Sequence, residues 1–154
     1  MEEKSSIHME KPAIIPEGWE NRVSRRHKVS RRRILVVEDD DDIRRFNAEA
    51  LTGSGYHVDA AVDGAQGWEA LNASPYDLLI TDNSMPNLTG IELIKKLNDA
   101  RMAVRVILAS GLEHPFQVEE LRLAATLPKP FTLDELLGTV KKVLGETNDG
   151  EWRV

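Results

Sequence analysis

Apolar residues run along this chain in two alternating rhythms. Short runs bounded by charge, such as ILVV at 34–37, DLLIT at 77–81 and VRVILAS at 104–110, have the β-branched, uninterrupted character of strands buried on both faces. Between them, apolar positions recur at helical spacing. The segment after the first run places Ile43, Phe46, Ala50 and Leu51 on one expected helical face, with Gly53 and Gly55 as its stop signal. HVDAAV (57–62) reads as a second, weaker strand, and DGAQGWEALNAS (63–74) as a helix turning Trp68 and Leu71 inward. GIELIKKLNDA (90–100) spaces Ile91, Ile94 and Leu97 for a core, HPFQVEELRLAA (114–125) predicts a short helix, and TLP (126–128) a strand stub. A last amphipathic helix is predicted over 132–145, where Thr132 and Glu135 have the spacing of a capping box. Five strands alternating with five helices predict an α/β fold: a five-stranded, doubly wound parallel sheet with helices on both faces.

Composition narrows the function classes. With 41% hydrophobic residues and only 5% aromatics, the core is aliphatic. The absence of cysteine removes disulfide scaffolds, thiolate metal sites and cysteine nucleophiles. No apolar run has the length of a membrane span and the N-terminus is charged, so a cytoplasmic location is expected. The net charge of −6 is unevenly spread. Residues 1–33 carry nine basic against five acidic side chains, and residues 34–154 eleven against twenty-one. The basic excess sits in NRVSRRHKVSRRR (21–33), after a stretch with prolines, a glycine and few periodic apolar positions. The expected organisation is a basic, disordered arm over 1–32, a folded domain over 33–146 and a short tail over 147–154. The acidic domain argues against nucleic acid as a partner except through that arm, and no aromatic residue interleaves the basic run as a stacking platform.

Ligands of open α/β sheets bind at the carboxyl ends of the strands, and four strand ends here carry polar chemistry. The first leads into Glu38, Asp39, Asp40, Asp41 and Asp42. Asp40 or Asp41 can cap the following helix, which accounts for one or two of these carboxylates but not for Glu38 and Asp39. A divalent cation would offset their repulsion, and oxygen ligands without Cys or His favour Mg²⁺, Mn²⁺ or Ca²⁺. The third strand ends in Asp82, an acid that burial penalises unless it is paired or metal-bound. The fourth ends in Ser110, beside Gly111, and the fifth in Lys129, held between two prolines. Each alone would be an ordinary loop residue. Their convergence on one sheet edge is not explained that way.

The segments ILVVEDD (34–40), DLLITDNSMPNLTG (77–90), VILASG (106–111) and LPKPF (127–131) together resemble the receiver domain of two-component response regulators. The resemblance implies a flavodoxin-like strand order of 2-1-3-4-5. It also implies that Asp82 accepts a phosphoryl group from a phosphohistidine on a histidine kinase or histidine phosphotransfer protein, making an aspartyl phosphate. Glu38, Asp39 and Asp82, with the backbone carbonyl of Ser84, would hold Mg²⁺. Ser110 would hydrogen-bond the phosphoryl group, Lys129 would pair with one of its oxygens, and the Lys129–Pro130 peptide would be cis.

Such a protein is a switch in signal transduction, acting through a protein target as a monomer or a phosphorylation-dependent dimer. It catalyses its own phosphorylation and slow dephosphorylation and is not a turnover enzyme. Thr126 stands where the family usually has Tyr or Phe, so a ring-flip switch is not expected. The segment between Ser110 and Lys129 is short, and no DNA-binding module follows residue 145, which fits a stand-alone receiver or one drawn from a larger chain. The alternatives are a phosphorylation-independent pseudo-receiver and a metal-dependent phosphohydrolase. The complete set of motif residues argues against the former. Ser84, where a hydrolase of that kind would need a general acid, argues against the latter.

Overall fold

The alternation of buried faces along each strand explains why the apolar runs are continuous. A computed structural model describes residues 32–111 and 120–146. Strands β1 (Arg33–Val37), β2 (His57–Ala61), β3 (Leu78–Asp82), β4 (Arg105–Ser110) and β5 (Ala125–Pro128) form one parallel sheet in the order 2-1-3-4-5. Helices α1 (Asp41–Gly53), α2 (Gly64–Ala73), α3 (Gly90–Asp99) and α4 (Leu133–Val143) flank it. Successive strand residues point to opposite faces. Ile34, Val36, Leu78, Ile80, Ile107 and Ala109 therefore pack with Leu51 of α1 and Leu136 and Val140 of α4. Leu35, Val37, Leu79, Val106 and Leu108 pack on the other side with Leu71 of α2 and Leu93, Ile94 and Leu97 of α3. Neither face of the three central strands meets water, so neither can be polar.

Three helix starts follow the expected local chemistry. The Asp40 side chain caps α1, accepting from the backbone N–H groups of Asp42 and Ile43. Thr132 and Glu135 form the predicted capping box on α4, and Thr89 with Glu92 form a second on α3.

One helical face turns out differently. Phe46 is 48% exposed, and Asn47 is buried at 3% in its place. The stripe of α1 that meets the sheet runs through positions 43, 47, 50 and 51, at spacings of four, seven and eight; position 46 lies to one side of it. Half of the predicted helix over 114–125 lies outside the described residues. In the other half Glu120 is helical, Leu121–Arg122 is a turn with Arg122 at φ 58°, and β5 begins at Ala125, so the helix ends short of the expected boundary. The basic arm up to residue 31 and the tail from residue 147 also lie outside the described residues.

Register places the chemistry. Val37 lies opposite Thr81, Asp82 opposite Ala109 and Ser110 opposite Pro128, so four strands end at the same pole. The connections reverse direction between β1 and β3, which makes their carboxyl ends the expected binding crevice.

Candidate functional site

Of the five consecutive carboxylates after β1, three are used locally. Asp40 caps α1, Asp41 accepts from Arg44 Nη2 at 2.6 Å, and Asp42 pairs with Arg45 at 3.3 Å. Glu38 extends the sheet by one residue, its N–H donating to the Ala61 carbonyl at 3.1 Å. Its own carbonyl accepts from Arg44 Nη1 at 2.9 Å, and its Oε2 accepts from the Asp40 N–H at 3.1 Å. Arg44 thus fixes the turn that delivers Glu38 and Asp39 to the pole. Asp82, the last residue of β3, is buried like Glu38, whereas Asp39 is exposed. One carboxylate oxygen from each of Glu38, Asp39 and Asp82 lies within 4.8 Å of the others.

Lys129 enters from β5. Its Nζ donates to Glu38 Oε1 at 3.0 Å and sits 3.1 Å from Asp82 Oδ1, bridging the two buried acids. The Lys129–Pro130 peptide is cis, and the Lys129 N–H donates to the Ser110 carbonyl at 3.2 Å. Ser110 is half-buried at the end of β4, next to this bridge through the backbone. Ser84 is exposed in the loop between β3 and α3, two residues beyond Asp82.

Burial pushes the Glu38 carboxyl above its ordinary value, a rise to which Asp82 adds and which the Asp40 N–H and the Lys129 ammonium oppose. For Lys129 burial works in the lowering direction, but the bonds to Glu38 and Asp82 outweigh it and hold the ammonium protonated beyond its usual range. The pole therefore gathers three carboxylates and, among the described residues, one ammonium that bridges two of them. The surplus negative charge, the all-oxygen donors and the exposed flank at Asp39 fit a hard divalent cation of the Mg²⁺ type.

The structure thus brings together Glu38, Asp39, Asp82 and Lys129, with Ser110 and Ser84 on the adjoining strand end and loop. Two residues of this pole escaped the sequence reading. Arg44 was detectable only as a base three residues after an acid in a helix's first turn. Asn83 holds the start of α3, its backbone carbonyl accepting from Gly90 N–H and its Oδ1 from Ile91 N–H, both at 3.0 Å. That contact is close because Gly90 has no side chain: a Cβ there would lie 2.1 Å from the Asp82 carbonyl oxygen.

A family model for the response regulator receiver domain matches residues 34–141. The response regulator receiver protein CpdR of Brucella abortus is 37% identical over 117 residues, spanning 73% of this chain and 97% of that protein. ArlR of Staphylococcus epidermidis is 33% identical over 118 residues, but the match covers only 54% of it. Among solved structures, the receiver domain of the Francisella response regulator 1452 aligns with a TM-score of 0.70 at 30% identity, over 74% of this chain and 97% of that one. TrrA of Thermotoga maritima, solved in complex with Mg²⁺ and BeF, aligns with a TM-score of 0.67 at 31% identity, over 73% and 98% of the two chains.

Proposed function

The chain belongs to the response regulator receiver family, and from that premise we propose that it is a phosphorylation-controlled switch whose acceptor is Asp82. The observation that carries this reading is the bridge from Lys129 Nζ to Glu38 and Asp82, with Asp39 at its open side. Asp82 acts as nucleophile toward a phosphohistidine of a histidine kinase or phosphotransfer protein: the donor's P–N bond breaks as a bond forms from phosphorus to an Asp82 carboxylate oxygen. Hydrolysis of that acyl phosphate by water returns the carboxylate and inorganic phosphate. This is a slow reset and not a turnover activity.

Glu38, Asp39 and Asp82, together with the Ser84 carbonyl, would hold Mg²⁺, which supplies charge neutralisation to the transferring oxygens. Lys129 already stands at hydrogen-bond distance from Asp82 and is placed to follow the charge onto a phosphoryl oxygen. Ser110, at the end of the neighbouring strand β4, would donate its hydroxyl to another. Groups held in advance around the acceptor are what positioning catalysis requires.

Three exposed large apolar side chains, Phe46, Val62 and Leu133, lie early in α1, after β2 and at the start of α4, all toward this pole. They support delivery of the phosphoryl group by a docking protein. Among the described residues no helix is long and apolar enough to cross a membrane, in keeping with a proposed cytoplasmic setting. Output is proposed to pass through protein contact, by a monomer or a phosphorylation-dependent dimer. Thr126 is exposed on β5, so whatever reads this face reads it without a swinging ring. In this scheme residues 33–146 form the receiver, and the basic arm and the tail are accessory.

Intact-protein mass after incubation with a small phosphodonor tests the proposal. One phosphoryl group gained with Mg²⁺, and none without it or in Asp82→Asn, is the expected result. A folded protein that gains none at any donor concentration would instead be a pseudo-receiver working by binding alone.

A further inference from the structure

The loop between β3 and α3 is gripped from a direction the phosphorylation chemistry does not require. Asp63 caps α2 through Oδ1, which accepts from the Gln66 N–H at 2.8 Å, and its other oxygen accepts from Asn87 Nδ2 at 2.9 Å. Asn87 sits at φ 69°, in the left-handed region that Asn tolerates better than most residues. The next residue is pressed against the same helix. A Cβ at Gly64 would fall 2.3 Å from the Leu88 carbonyl oxygen and 2.7 Å from its Cβ. Inside the loop, the Leu88 N–H turns back to the Pro86 carbonyl at 2.7 Å. Among the described residues, the Asp63–Asn87 bond is the hydrogen bond that ties the segment 84–88 to another element. The segment's other attachment is Met85, which is buried in the core on the α2 and α3 side of the sheet.

We infer that Asp63 and Asn87 are positioning residues for the Asp82 centre: their bond to α2 holds the loop so that the Ser84 carbonyl presents to the cation bound by Glu38, Asp39 and Asp82. This rests on the functional reading above and adds α2 to the elements that set cation affinity. Asn87 is three residues from Ser84, and the segment between them carries no other hydrogen bond to an outside element that could fix the carbonyl's direction. Freeing the loop leaves the carboxylates and Lys129 in place. The effect therefore falls on cation binding more than on the transfer step. Partners one shell removed from a metal typically change affinity by about 10–100-fold, and an exposed bond belongs at the lower end.

Asn87→Gly separates positioning from structure, because glycine accepts the left-handed backbone while removing the amide that reaches Asp63. The full chain and this variant are compared by thermal unfolding and by the Mg²⁺ dependence of phosphoryl incorporation from a small phosphodonor. The expected result is a half-saturating Mg²⁺ concentration raised about tenfold, with the unfolding midpoint unchanged or higher and the rate at saturating Mg²⁺ within about twofold of the parent. Asn87→Ala, which keeps the strain and loses the amide, should show the same Mg²⁺ shift with a lower midpoint. An unchanged half-saturation in both variants, beside a wild type that responds to Mg²⁺, overturns the inference and leaves the functional reading standing. A folded wild type that takes up no phosphoryl group removes the functional reading, and this inference with it.

Discussion

The two ends of the sheet handle charged groups in different ways, half-buried at one and, for Glu38 and Asp82, buried at the other. At the amino ends of the strands each carboxylate named has its own donor, although Arg33 Nε is buried without a hydrogen-bond partner among the described residues. Arg33 Nη2 donates to Asp59 at 3.0 Å, its guanidinium lies 4.9 Å from the centre of the Tyr76 ring, and the Tyr76 hydroxyl donates to the same Asp59 oxygen at 2.5 Å. Asp77 accepts from the Arg33 N–H at 2.8 Å, and Tyr56 donates to Glu146 at 2.6 Å. At the carboxyl ends, three carboxylates cluster and one ammonium bridges two of them, Glu38 and Asp82. The separately met carboxylates serve stability, whereas the clustered ones leave an excess of negative charge that the proposed cation would offset. Equal polarity at two poles therefore does not signify equal purpose. What separates them is how the carboxylates are met: separately, each by its own hydrogen-bond donor, at the amino ends, and as a cluster at the carboxyl ends.

Removing the single ammonium tests this contrast hardest. Lys129→Met leaves Glu38 and Asp82 buried without a counter-charge and should lower unfolding stability by about 3 kcal/mol. Adding Glu38→Gln should recover much of that loss, measured by denaturant unfolding at neutral pH without divalent cations. Failure of the second change to rescue would mean that the surplus charge is not what strains this pole.

Tyr76→Phe at the other end should cost about 1.5 kcal/mol, the low end for a hydrogen bond to a charged acceptor because Asp59 is partly exposed. Phosphoryl incorporation into Asp82 should be unaffected, and a slowed incorporation would break the separation between the poles.

The smallest effect appears only in alkali. Burial and the bonds to Glu146 and Asp59 keep the Tyr56 and Tyr76 hydroxyls protonated well above the ordinary value of 10.0. The folded form thus holds protons that the unfolded chain releases first, and the stability they contribute below pH 10 is lost as pH rises beyond it. Lys129 has the same sign above its ordinary value of 10.5. Replacing Tyr56 and Tyr76 by Phe should flatten the alkaline loss of stability to the part due to Lys129, as read from unfolding midpoints across that range.

The sequence was most legible where one physical requirement acted alone. Strands buried on both faces must be apolar throughout, so β1, β3 and β4 stand out as runs. Acids that survive at their ends must have a reason to be there, so Glu38 and Asp82 stand out too. Legibility failed where two requirements overlapped. Asn47 occupies a core position of α1, its Oδ1 buried with no hydrogen-bond partner among the described residues, while Phe46 faces outward. A hydrophobicity pattern reverses those two. The different fates of Glu38 and Asp39 were also hidden, since neighbouring residues at a strand end look alike until the turn held by Arg44 exposes one and buries the other. Asp63 and Asn87 were invisible for a further reason: their meeting depends on how α2 sits against a loop more than twenty positions away in sequence.

Arg32 Nη2 donates to the carbonyl of Leu144, joining the threshold of β1 to the last turn of the sheet's final helix. Entrance and exit of the folded module are thereby side by side, on the end remote from Asp82. A module with adjacent doors can be spliced into the middle of another protein, or carry cargo on either side, without stretching its own frame. Both attachment points lie at the end of the sheet opposite Asp82. Under the proposed function, such a receiver could be joined to new outputs without rebuilding its acidic pole.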